Sequence, residues 1–181
     1  MTIYAVLLRG INVGGHKKVP MAELRSLLSD MGFAGVRTHL QSGNAVFDSD
    51  HGDEDSLAAD ISTALAEHFG FAMDVLVRNG DYLRAVADAC PYPADELEPK
   101  QLHVTYFSEH VRPEQLASVD PLAYAPEDYK VGDRALYLYA PDGLGRSKLA
   151  PALARPSLMK GVIATSRNWN TVLKLVELTR A

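Results

Sequence analysis

The sequence predicts an α+β fold: two consecutive βαββαβ units of the ferredoxin-like (split βαβ) type, followed by a C-terminal helix. Three observations predict it. Short apolar runs alternate with stretches whose apolar residues recur at helical spacing. Ser42-Gly43 and Gly132-Asp133 place turn residues between pairs of strand-like runs. The order strand, helix, strand, strand, helix, strand then occurs twice in 181 residues.

In the first unit, Tyr4 to Leu8 reads as a strand that is apolar on both faces. Met21, Leu24, Leu27, Leu28 and Met31 form a helical stripe, opened by Pro20 and closed by Gly32. Val36 to Gln41 and Asn44 to Phe47 read as a hairpin. Leu57, Ile61, Leu65 and Phe69 mark a second helix that ends at Gly70, and Met73 to Val77 alternates as a strand. A linking helix is expected over Asp81 to Ala89. The proline-broken run PYPADELEPK, residues 91–100, reads as a linker between units at 1–90 and 101–181.

In the second unit, Leu102 to Phe107 is a strand and Pro113 to Ser118 a short helix. Tyr129 to Val131 and Ala135 to Tyr139 form a hairpin. Ser147 to Ala154 is a helix capped by Ser147, Val162 to Thr165 a strand, and Trp169 to Leu178 the last helix. The halves share this order without an evident common sequence. Because Ala5 and Leu7 are apolar as well as Tyr4, Val6 and Leu8, both faces of the first strand require burial. The second half, the terminal helix or another subunit must cover the far face.

Composition excludes several classes. Hydrophobic residues make 47% and charged residues 23% of the chain, as in ordinary globular domains. No apolar run approaches the length of a membrane span, and no secretory leader is recognised. Cys90 is the single cysteine, which excludes an internal disulfide and fits a cytoplasmic protein. The six histidines have neither metal-ligand nor triad spacing, so no metal and no cofactor is implied.

The net charge of −5 is unevenly spread. Residues 1–47 carry five Lys/Arg against two Asp/Glu, residues 48–133 five against nineteen, and residues 134–181 eight against two. The carboxylates of 48–60 read as a solvated acidic surface. Basic ends around an acidic middle suit an anionic ligand, while the overall negative charge argues against indiscriminate nucleic-acid binding.

Helix N-termini favour acids. Asp53-Glu54-Asp55, Asp81 and Glu114 obey that rule. Lys17 and Lys18 before Pro20, Arg146 and Lys148 around Ser147, and Arg167 before Trp169 break it. A bound anion would reverse the penalty at all three. Gly10, Gly14 and Gly15 lie in a strand-to-helix loop with Arg9, Asn12 and Lys17. The loop is either a flexible turn or a backbone-amide anion cradle. It is not a nucleoside-triphosphate loop, because His16 stands where lysine is required. Gln41, Ser42, Gly43 and Asn44 read first as a tight turn. Trp169 reads first as a packing residue, with base stacking as the sharper alternative.

The segments YAVLLRGINVGGHKKVPMAELRSLL, THLQSGNAVF, LYLYAPDGLGRSKL and GVIATSRNWNTVLKL resemble the hallmark stretches of a widespread bacterial family of uncharacterised proteins, catalogued as a domain of unknown function. The resemblance runs from Tyr4 to about Leu178 and implies an α+β fold but no activity. Its motif residues are Arg9, Gly10, Asn12, Gly14, Gly15, Gln41, Ser42, Gly43, Asn44, Arg146, Ser147, Lys148, Thr165, Arg167, Asn168, Trp169 and Asn170. The expected ligand is a phosphorylated small molecule or short nucleic acid. Arg9, Lys17, Arg146, Lys148 and Arg167 would supply charge, and Asn12, Gln41, Asn44, Asn168 and Asn170 orientation. Two alternatives stand beside it: an enzyme acting on a phosphorylated small molecule, and an interface between the halves or within a homo-oligomer. No membrane partner is expected.

Overall fold

The computed structural model describes residues 1–40 and 43–181. The chain forms two compact units. One comprises Met1–Leu83 with Leu175–Ala181, the other Arg84–Lys174.

The first unit contains β1 (Thr2–Arg9), α1 (Met21–Asp30), β2 (Ala34–His39), β3 (Asn44–Ser49), α2 (Glu54–Phe69) and β4 (Asp74–Asn79). Its sheet has the order β2-β3-β1-β4 and is antiparallel throughout. This is the predicted ferredoxin-like order. Tyr4, Val6 and Leu8 point to the helices and join Leu24, Leu28, Phe47, Ile61 and Leu65 in one core. Each such side chain contributes roughly 1.5–3 kcal/mol on burial. Asp53 caps α2, its carboxylate accepting from the Asp55 amide and the Ser56 hydroxyl. These bonds, Ser56 first, hold the Asp53 carboxyl below its usual range. Gly70 ends the helix in the left-handed region, at φ 80.

The second unit repeats the scheme with β5 (Leu102–Phe107), β6 (Asp128–Gly132), β7 (Ala135–Tyr139), α4 (Leu149–Leu153) and β8 (Ala164–Asn168), in the order β6-β7-β5-β8. The first helical position is reduced to 3-10 turns at Pro113–Leu116 and Pro121–Tyr124. Each turn opens on a proline, and Pro121 prevents a single helix from running through both. The helix expected over 147–154 is confined to α4, although Ser147 does accept from the Ala150 amide as a cap. The last strand extends to Asn168 instead of stopping at Thr165, because the polar residues Ser166, Arg167 and Asn168 pair with Thr105, Val104 and His103. Two further helices, α3 (Gly80–Asp88) and α5 (Trp169–Leu178), follow β4 and β8.

Ala5 and Leu7, on the face of β1 away from α1 and α2, are fully buried. No second subunit is needed to cover them. Arg78 shares that face, directly opposite Ala5, and is 1% exposed. Arg167, opposite Val104, holds the matching place in the second sheet and is also buried. Among the described residues no helix is long and apolar enough to cross a membrane.

Candidate functional site: two charged cavities and a buried arginine

Among the described residues, two of the three basic helix starts each line a cavity within their own unit. Arg9, Gly10 and Lys17 line a cavity of about 420 Å³ in the first unit, together with Ser62 and Asp74. Arg146, Ser147 and Lys148 line another of about 280 Å³ in the second unit. Arg167 lines neither.

In the first unit, β1 ends on Arg9, directly opposite Asp74 of β4. Their side chains form a loose ion pair at 3.8 Å, each about half exposed. The following loop is knit by its own groups. Val13 and His16 close a turn over Gly14 (φ 58) and Gly15 (φ 78), with the His16 amide donating to Val13. Both turn residues need positive φ, which glycine adopts without steric cost. Asn12 is the staple. Its Nδ2 donates to the Val19 carbonyl at 3.0 Å, its Oδ1 accepts from the Val19 amide at 2.8 Å, and its own amide donates to Lys17. The amides of Asn12, His16 and Val19 are therefore spent within the loop and do not face a cradle. Lys17, Lys18 and both turn glycines are exposed. Truncating Asn12 to alanine removes both side-chain bonds from a residue held at φ 54. We expect a loss of about 1–2 kcal/mol by urea denaturation, and an effect within experimental error would show that the staple is dispensable.

Gln41 and Ser42 lie outside the described residues. Asn44 is fully buried at the start of β3, where its Nδ2 donates to the His39 carbonyl and so ties the two hairpin strands together.

In the second unit, the anomaly at α4 has an internal answer. Glu127 reaches the helix start, and its Oε2 accepts from the amides of Lys148 (3.1 Å) and Leu149 (3.3 Å). The chain's own carboxylate occupies the place foreseen for an external anion. Arg146 and Lys148 stay exposed beside it.

Arg167 is a strand residue with its side chain turned inward. It donates to the Ser166 carbonyl at 2.9 Å. Burial pushes its guanidinium down to about 10, with Tyr106 opposing the shift, so it remains cationic at neutral pH. Asn168 caps α5, its Oδ1 accepting from the Thr171 amide at 3.0 Å. Trp169 is buried and packs, whereas Asn170 is exposed. Among the described residues no group of three His, Cys, Asp or Glu is placed to hold a metal ion.

Residues 1–137 match the family described as Protein of unknown function (DUF1697). The chain belongs to that family. It is also similar in structure to the conserved bacterial protein SP0830 from Streptococcus pneumoniae, with a TM-score of 0.78 at 25% identity, over 99% of each chain. No curated protein matches.

The DUF1697 chain holds charged residues that its sequence did not single out. Asp74 follows from the antiparallel pairing of β1 with β4, a consequence of the predicted fold that was open to use. Glu127 carried no signal, since only folding brings it to a helix 22 residues further on. Glu54 departs from the solvated acidic surface expected of residues 48–60. Its side chain is 15% exposed and lies 3.6 Å from Arg78. The two units also share a local repeat. Arg78-Asn79 ends β4 before α3, and Arg167-Asn168 ends β8 before α5. Asn79 caps its helix through the Tyr82 amide as Asn168 does through Thr171, and each arginine donates to the carbonyl of the residue before it.

Proposed function

We propose that the DUF1697 chain binds a phosphate-bearing small molecule in the first-unit cavity, with Arg9 and Lys17 as its cations. The observation that carries this reading is their meeting on one concave wall beside Ser62. A Cβ added to Gly10 would meet nothing within 4 Å, so the backbone there is open to a ligand. Asp74 is the competing anion. An exposed pair of this kind contributes only about 0–1 kcal/mol, and a phosphate dianion would displace it from Arg9. The reading assumes a cytoplasmic setting. GRSKL and TSRNWNTV, beyond the matched residues, would then belong to the family's signature.

The test is thermal stability against inorganic phosphate, a mononucleotide, ribose 5-phosphate and a short RNA, each compared with chloride at matched ionic strength. A ligand at 100 times its Kd adds about 2.7 kcal/mol, a rise of roughly 5–10 °C for a chain this size. We expect a selective rise that disappears in Arg9→Ala/Lys17→Ala and grows in Asp74→Asn. An equal rise in the double variant would remove the site from this cavity.

A second reading has its own observation. Asn12, Asn44, Ser147 and Asn168 each spend a side chain on the chain's own backbone. On that reading the polar motifs serve folding alone, and the whole panel is flat.

A further inference from the structure

The second-unit cavity holds a charge pattern that a phosphate alone does not satisfy. Its wall carries two carboxylates, Glu127 and Asp142, and two cations, Arg146 and Lys148. Glu127 is divided between two tasks. Its Oε2 caps α4, while its Oε1 is buried and has no hydrogen-bond partner among the described residues. A buried carboxylate oxygen left in that state is unfavourable, and a donor supplied by a ligand would satisfy it. The cations are exposed at the same wall.

A lone anion placed here meets Glu127 and Asp142, and a lone cation meets Arg146 and Lys148. Each is repelled by half of the wall. A molecule bearing both charges is attracted by all of it. We propose that this cavity is a binding site for a small zwitterion. Its ammonium donates to Glu127 Oε1 near Asp142, and its carboxylate or phosphate pairs with Arg146 and Lys148. At about 280 Å³ the cavity suits a compound of amino-acid or phospho-amine size. The site is independent of the phosphate site of the first unit, because the two share no residue.

Titration calorimetry on the full chain tests it, with O-phosphoethanolamine as the probe. Its halves, inorganic phosphate and ethanolammonium chloride, serve as references at matched ionic strength. Glycine and O-phosphoserine are run beside it to separate a carboxylate from a phosphate as the anionic group. Joining two charges that engage together raises affinity, so at least one zwitterion is expected to bind at least about tenfold more tightly than either half. Glu127→Gln offers an amide where the carboxylate stood, and is expected to weaken that binding at least about tenfold. Should that variant misfold, Arg146→Ala/Lys148→Ala changes only exposed side chains and carries the same expectation. Every titration is made in the Arg9→Ala/Lys17→Ala background, which removes the phosphate site proposed for the first unit and keeps failure here distinct from failure of that reading. In that background the proposal is overturned if no zwitterion binds, if phosphate alone binds as tightly as the zwitterions, or if the folded variants of this cavity retain full affinity.

Discussion

Replacing Glu54 by alanine is expected to destabilise the first unit by about 3–5 kcal/mol, the cost of breaking a buried ion pair from one side. Glu54 opens α2 and serves three groups at once. Its Oε1 accepts from the Asn79 amide at 2.8 Å and from Asn79 Nδ2 at 2.9 Å, while its Oε2 faces Arg78 at 3.6 Å. Arg78 is 1% exposed, and its guanidinium also lies 5.5 Å from the centroid of the Tyr82 ring. Alanine removes a counter-charge from a cation that is 1% exposed and an acceptor from the residue that caps α3. Glu54→Gln separates the two effects, since it keeps an acceptor for Asn79 and loses the charge. The double variant Glu54→Ala/Arg78→Met is expected to be more stable than Glu54→Ala, because it no longer buries the cation. Urea denaturation of the full chain measures all three. A Glu54→Ala loss below about 1 kcal/mol, the size of an exposed pair, would show that this network does not hold the unit together.

The second large effect is expected at Gly80. A Cβ built there would sit 2.5 Å from the Thr179 carbonyl oxygen and 2.9 Å from the Thr179 Cβ. The obstacle is backbone, so no side chain can swing aside. Thr179 is itself held, with its hydroxyl donating to the Leu175 carbonyl at 2.7 Å and only 4% of the residue exposed. Gly80→Ala should therefore cost about 2–3 kcal/mol, the upper part of the range for overpacking. The strain would show first in the C-terminal segment, as faster hydrogen exchange over the last turn of α5 and loss of the bond from Arg37 Nη2 to the Leu178 carbonyl, 3.0 Å in the intact protein. Gly52→Ala is the control, because nothing lies within 4 Å of its Cβ position. Equal behaviour of the two variants would show that the contact at Gly80 yields without cost.

Much of the fold was legible because local patterns agree with it. The stripe Leu57, Ile61, Leu65 and the cap at Asp53 describe α2 before any partner is known. The two hairpins are likewise marked by turn residues, Ser42-Gly43 and Gly132-Asp133, between strand-like runs. The polar end of β8 was not legible. Nothing in Ser166-Arg167-Asn168 says strand, and the pairing with β5 imposes it. At the candidate sites the residue types were found and their employment was not. Asn12 and Asn168 stand out as hydrogen-bonding side chains in either setting, and only the coordinates show that a carbonyl and two amides of their own chain have engaged them. Arg146 and Lys148 stood out as misplaced charge, but the carboxylate that resolves the anomaly comes from a distant strand end. Glu54 was hidden by its neighbours, since it sits among acids that are exposed on either side of it.

The division of the chain bears on how the protein is made. The first unit takes in Leu175–Ala181 as well as Met1–Leu83, with the whole second unit encoded in between. During synthesis its early strands and helices emerge long before its final piece. At about 5–20 residues per second the nascent first unit waits on the order of several seconds for that piece. The second unit, contiguous from Arg84 to Lys174, has no such gap in its own sequence. The part of the protein translated first is therefore the part completed last.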